Sequence, residues 1–223
     1  MLDSNRFSRV SVVIPAYNCA GTIVGLIDSL KRQSRAPLEI IVIDDHSRDE
    51  TADLAQSLSV KVLRNSRNIG PAFCRNRGIQ ESKGEILAFV DSDCICELDW
   101  VQQIEHLFEN DQKDVVMGKV CFYPQTNFSR AVCDLGWPAG GTVGFEKVWK
   151  IGADSRTDHI SSCNFAVRRR VIEKYGAFDE RFPLFGEDVE LSERWVASQV
   201  RIYYCPALKV EHTMNRDSLT DFI

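Results

Sequence analysis

Asp91-Ser92-Asp93 stands directly behind Ile86 to Val90, an unbroken apolar run of strand character. Two carboxylates on one strand end suit a hard divalent cation. Mg2+ or Mn2+ is commonly held by one or two carboxylates, with substrate phosphate oxygens completing the shell. An acidic turn has the same appearance, so the triplet decides little by itself. Two more polar clusters follow apolar runs in the same way: Tyr17-Asn18 after Val10 to Pro15, and Asp44-Asp45 closing the run that begins at Glu39. Singly, Tyr17 reads as packing and the aspartates as a helix cap. Together the three clusters make a nucleotide pocket, with a ring for the base, a carboxylate for its N–H or the ribose, and a metal for the diphosphate.

The elements that must position these groups alternate. After the strand ending at Pro15, Ile23, Leu26, Ile27 and Leu30 fall at helical spacing. After Asp45, Ser47 and Glu50 form a capping-box pattern ahead of a helix with Leu54, Ala55 and Leu58 inward. Val60 to Leu63 reads as a third strand, Ala72 to Ser82 as a helix behind Gly70-Pro71, and Ile86 to Val90 as a fourth strand. The expected class is therefore α/β, with a mainly parallel central sheet and helices on both faces. Ligands of such sheets bind beyond the carboxyl ends of the strands, where Tyr17, Asp45 and Asp91 emerge.

The second half is less regular. It carries a helix from about Asp99 to Phe108, with Val101, Ile104 and Phe108 on one face, and a strand from Val115 to Phe122. Leu135 to Asp158 holds five glycines and a proline and reads as a mobile, substrate-covering loop. A helix from about Glu187 to Ser198 and a strand from Arg201 to Tyr204 follow, then a strand-like Leu208 to Glu211 ahead of His212.

The 223 residues suit one α/β domain, and 44% hydrophobic with 26% charged residues is ordinary for a globular protein. A net charge of -5 argues against a broad nucleic-acid surface, and Arg168, Arg169 and Arg170 read as a solvated helix start. The eight cysteines form no CxxC pair and no zinc spacing; several sit in apolar runs as small buried hydrophobes. No signal peptide opens the chain, so a cytoplasmic location is expected. The apolar runs fall far short of the roughly 20 residues of a membrane helix. Attachment to the inner membrane face, through a continuation past Ile223, is the alternative expectation.

Longer motifs extend these clusters. They are Val12-Val13-Ile14-Pro15-Ala16-Tyr17-Asn18, Ile41-Val42-Ile43-Asp44-Asp45-His46-Ser47, Asn68-Ile69-Gly70 with Cys74-Arg75-Asn76-Arg77-Gly78, and Gly84-Glu85 with Phe89-Val90-Asp91-Ser92-Asp93. Later come Asn164-Phe165-Ala166-Val167-Arg168-Arg169, Gly176-Ala177-Phe178-Asp179-Glu180-Arg181-Phe182 and Gly186-Glu187-Asp188-Val189-Glu190-Leu191. From Val10 to about His212 the chain resembles the family 2 inverting glycosyltransferases, whose fold is of the GT-A type. The resemblance implies one GT-A domain, with residues of about 8–95 as the nucleotide-sugar-binding half and about 96–223 as the acceptor-binding, catalytic-base half. It implies metal-dependent transfer of a sugar from a nucleotide diphosphate, with a lean toward UDP-sugar, to a saccharide, lipid or protein hydroxyl.

By the same resemblance Pro15, Tyr17, Asn18 and Asp45 line the base and ribose pocket, with Arg75 and Asn76 near the nucleotide. Asp91 touches ribose or the metal-bound diphosphate. Asp93 is the principal ligand of Mg2+ or Mn2+, and His212 matches a histidine some members use beside it. Asp188 is the expected general base; an acid at a helix start also simply suits the helix dipole. Cys74 stands where the family often has Ala. Leu191 takes the Gln place of the QxxRW signature, which favours single transfers over processive synthesis. Two other readings stay in play: a phosphohydrolase with Asp91 as nucleophile, and a catalytically silent nucleotide-sugar-binding domain.

Overall fold

The computed structural model describes residues 8–213, apart from 110–111, 125, 137–140, 142 and 183. The expected alternation opens the chain as β1 (Val10–Ala16), α1 (Ile23–Lys31), β2 (Glu39–Asp44), α2 (Thr51–Ser57), β3 (Lys61–Arg64), α3 (Pro71–Glu81) and β4 (Ile86–Val90). It continues as β5 (Cys94–Cys96), α4 (Trp100–Leu107), β6 (Val115–Phe122), α5 (Asn127–Asp134) and α6 (Phe145–Val148). The last elements are β7 (Arg156–Thr157), β8 (Asn164–Arg168), α7 (Arg169–Tyr175), α8 (Glu187–Ala197) and β9 (Ile202–His212).

One sheet runs in the order β3-β2-β1-β4-β8-β6-β9-β5, with β7 added on β9. The first four strands of that order are parallel, as strands joined by crossover helices must be. Beyond β4 the sheet becomes mixed: β8 lies antiparallel between β4 and β6, β6 pairs parallel with β9, and β5 and β7 run against β9. The mainly parallel expectation thus holds for the first half only, because strand–helix alternation stops at β4. Ile23, Leu26, Ile27 and Leu30 of α1 are all buried, as are Val101 and Ile104 of α4 with Phe108 just behind it. Across the β4–β8 seam Phe89 stacks on Phe165 at 4.7 Å.

β9 unites the two segments read separately from the sequence. Its register against β6 slips between Gly118 and Lys119, where Cys205 and Lys209 are the successive partners. Pro206 lies in that slip and has no N–H to give a ladder. The buried Asn164 secures the bulge: Nδ2 donates to Lys119 O at 2.9 Å and to Leu208 O at 3.0 Å, while Oδ1 accepts from Trp100 Nε1 at 2.9 Å. A Cβ on Gly118 would collide with Asn164 Nδ2 and Leu208 O, so the approach needs glycine.

Three local expectations are corrected. The Ser47–Glu50 capping box does not form: Ser47 Oγ accepts from Asn18 N, and Thr51 N is met by Asp49 Oδ1. Of the arginine triple, only Arg170 is exposed. Arg168 is buried and donates to Phe108 O and Lys113 O, and Arg169 donates to Gly84, Ile79 and Ser82 carbonyls. The stretch Leu135 to Asp158 carries α6 and β7, its residues 137–140 and 142 lying outside those described. All eight cysteines are free thiols, and among the described residues no helix is long and apolar enough to cross a membrane.

Candidate active site

A cavity of about 570 Å3 opens beyond the carboxyl ends of β1, β2 and β4, and is closed opposite by Ser161 to Cys163 and the start of α8. Pro15, Tyr17, Asp45, Arg75, Asp91, Asp93, Asp188 and His212 all line it. Asn18 and Asn76 do not. Asn18 sits at φ 47 and its Oδ1 accepts from Arg48 N, tying the loop after β1 to the loop after β2. Asn76 Nδ2 donates to Phe178 O and Glu180 Oε1, fastening α3 to the segment after α7.

Each lining group is set by the end of an element. Asp45, buried just past β2, accepts from Asn65 Nδ2 at 2.6 Å and from Gly70 N at 2.7 Å, with Ile69 N also in reach. The carboxylate thereby satisfies backbone donors at the N-terminus of α3, where helices leave N–H groups unpaired. Gly186 at φ 88 turns the chain into α8. Asp188 then sits in the first helical turn, where Oδ2 accepts from Ser162 N at 3.2 Å and Oδ1 from Val189 N at 2.9 Å.

Arg75 is buried at the cavity floor and forks between two carboxylates, Asp91 Oδ1 and Glu187 Oε1, each at 2.8 Å. Burial opposes its charge, but Asp91 and Glu187 outweigh that and hold the guanidinium more firmly protonated than usual. Burial would also raise Asp91, yet the Arg75 cation and His212 keep it below the ordinary carboxylate range. Glu187 goes the other way: its own burial, with Asp188 beside it, pushes it up despite Arg75.

His212 reaches the site through register. β5 pairs Cys94 with His212, and Thr213 N donates to Asp93 O at 2.9 Å. This places His212 Nε2 3.4 Å from Asp93 Oδ1, with the ring against Phe122. His212 Nδ1 is buried without a hydrogen-bond partner. Among the described residues, two donor sets have all their atoms within 4.8 Å of one another: Asp91, Cys163 and His212, and Asp93, Cys94 and His212. Carboxylates with one imidazole fit Mn2+ well and Mg2+ through the oxygens.

The lining residues that sequence reasoning did not single out include Glu187, His159 and Cys163. His159 is buried and stacks on Trp149 at 3.6 Å between centroids; burial holds its pKa below the usual value against the pull of Asp188 and Asp158. No local signal marks Glu187, because its contact with Arg75 joins residues 112 positions apart.

A parallel half-sheet with carboxylates at its strand ends, faced by an acid-headed helix from a mixed half, matches the GT-A fold. The profile of glycosyl transferase family 2 matches residues 11–176, and the chain belongs to that family. Glycosyltransferase AglE of Haloferax volcanii is 28% identical over 197 residues, covering 83% of this chain and 60% of that protein. Probable glycosyltransferase YdaM of Bacillus subtilis is 32% identical over 225 residues, covering 92% and 50%. The chain thus spans only 50–60% of the length of these curated relatives. Mannosyltransferase PcManGT from Pyrobaculum calidifontis, in complex with GDP-Man and Mn2+, shares the fold: TM-score 0.66 over 93% of this chain and 57% of that one, at 19% identity.

Proposed function

We propose that this domain transfers a sugar from a nucleotide diphosphate to an acceptor hydroxyl, with inversion at the anomeric carbon and a divalent cation. The observation that carries the reading is the meeting in one cavity of Asp91 and Asp93 from a strand end with Asp188 from the head of α8. Residues of about 8–95 form the donor half and about 96–223 the acceptor half. Uridine is the expected base, set against Pro15, the Tyr17 ring and Asp45, whose bonds to Ile69 and Gly70 fix the pocket wall.

Asp93, with Asp91 and His212 beside it, would hold Mg2+ or Mn2+, which when bound supplies charge neutralisation to the leaving diphosphate. Arg75 adds a fixed cation at Asp91 and keeps that carboxylate ionised. Asp188 accepts the acceptor's hydroxyl proton as that oxygen forms its bond to the anomeric carbon. The bond to the diphosphate breaks on the opposite face, which inverts the centre. The engagement of Asp91 by Arg75 speaks against its service as a phosphohydrolase nucleophile. The acceptor, a saccharide, lipid or protein, is expected to meet Leu135 to Asp158, and the reaction to run in the cytoplasm or at the inner membrane face.

The test is Asp188→Asn. It should bind UDP with Mn2+ as the wild type does yet lose about 10²- to 10⁴-fold in transfer rate to any acceptor the wild type uses. Near-normal transfer would refute the base assignment.

A further inference from the structure

Cys163 sits where a thiol is unexpected beside a hard-cation site. It lines the cavity, is only 5% exposed, and its sulfur belongs with an Asp91 oxygen and a His212 nitrogen to a donor set within 4.8 Å. Ligands about 2.0 to 2.3 Å from one ion lie no more than about 4.6 Å apart, so shifts of a few tenths of an ångström would close this set on a cation. Two features of the residues in and beside this set bear on a ligand there. The Nδ1 atom of the buried His212 has no hydrogen-bond partner. The Ser161 hydroxyl donates to Cys163 Sγ at 3.3 Å, the kind of outer contact that steadies a ligating sulfur.

We propose that Cys163, Asp91 and His212 form a seat for a borderline-soft divalent cation, Zn2+ or Co2+, in preference to Mg2+. This deepens the reading of the same cavity as a metal-dependent site and rests on it. Thiolate and imidazole select such ions, whereas carboxylate oxygens alone suit Mg2+. Loading forms an S–metal bond and releases the thiol proton to solvent, with no change of oxidation state. The other set, Asp93 with Cys94, shares His212, so an ion held by Cys163 competes with the one at Asp93 for the same ring.

The experiment is Co2+ titration of wild type, Cys163→Ser and Cys94→Ser, read by the near-ultraviolet thiolate-to-cobalt charge-transfer band. The band should appear in the wild type and in Cys94→Ser and vanish in Cys163→Ser, whose Co2+ affinity should fall at least about tenfold. A band lost only in Cys94→Ser, or no band at all, would overturn the proposal. X-ray absorption of the Zn2+-loaded wild type needs no variant: a sulfur scatterer at about 2.3 Å is expected, and a shell of oxygen and nitrogen alone contradicts it. UDP binding with Mn2+, measured on the same preparation before any Zn2+ is added, separates the two readings. If it persists without a sulfur scatterer, this inference alone fails; if no nucleotide binds, the transferase reading fails.

Discussion

Arg75 donates to Glu187 Oε1 at 2.8 Å across 112 positions of sequence. The same guanidinium holds Asp91, so a single buried cation joins the strand-end carboxylates to the helix that carries Asp188. Its position couples the two halves of the cavity electrostatically and mechanically.

Truncation of this cation should be costly. Arg75→Met leaves Asp91 and Glu187 facing each other without compensation, and loss of one partner of a buried pair typically costs about 3 to 5 kcal/mol. Urea unfolding should show that loss, and a change near zero would mean the carboxylates are solvated after all.

Glu187 should leave a mark on pH dependence. Its folded pKa lies above the ordinary 4.5, so the folded state binds more protons than the unfolded one between those values. Stability from this group is therefore present at low pH and declines as pH rises from 4.5 through the folded value. Glu187→Gln should flatten that decline in unfolding midpoints measured across the window. An unchanged slope would show that Glu187 is not the titrating group.

His159 predicts the opposite slope. Its folded pKa is depressed by burial against Trp149, so its contribution is present above the ordinary 6.5 and is lost as pH falls toward the folded value. The His159 ring signals followed by NMR should titrate below 6.5. Titration at or above it would show an open, hydrated ring.

Asn164→Ala removes three hydrogen bonds at the β9 bulge, two of them fully buried. Each group left unpaired costs about 1 to 3 kcal/mol, so a loss of at least about 3 kcal/mol is expected. At this chain length that lowers Tm by roughly 6 to 12 °C. A shift below 2 °C, by calorimetry, would show that water replaces the side chain.

The parts of this molecule legible beforehand were those governed by local pattern. β1, β2 and β4 are near-continuous apolar runs with carboxylates or Tyr17 at their ends, and both strand class and site edge follow from that. β8 escaped notice because only Phe165-Ala166-Val167 marks it before three arginines, and its burial comes from neighbours far along the chain. Pro206 divided β9 in sequence while the bulge kept it whole in space. Ser47, Asn18 and Asn76 are polar residues with more than one available partner; tertiary contacts assigned them to loops and helix ends. The pairing of Arg75 with Glu187 depends wholly on how α3 meets α8, which no local pattern records.

The most direct measurement is calorimetric titration with UDP, GDP and dTDP, each with and without Mn2+, on the wild type and Asp93→Ala. Metal-dependent binding of one nucleotide, lost in Asp93→Ala, is the predicted result. A folded protein that binds none of them would contradict the account.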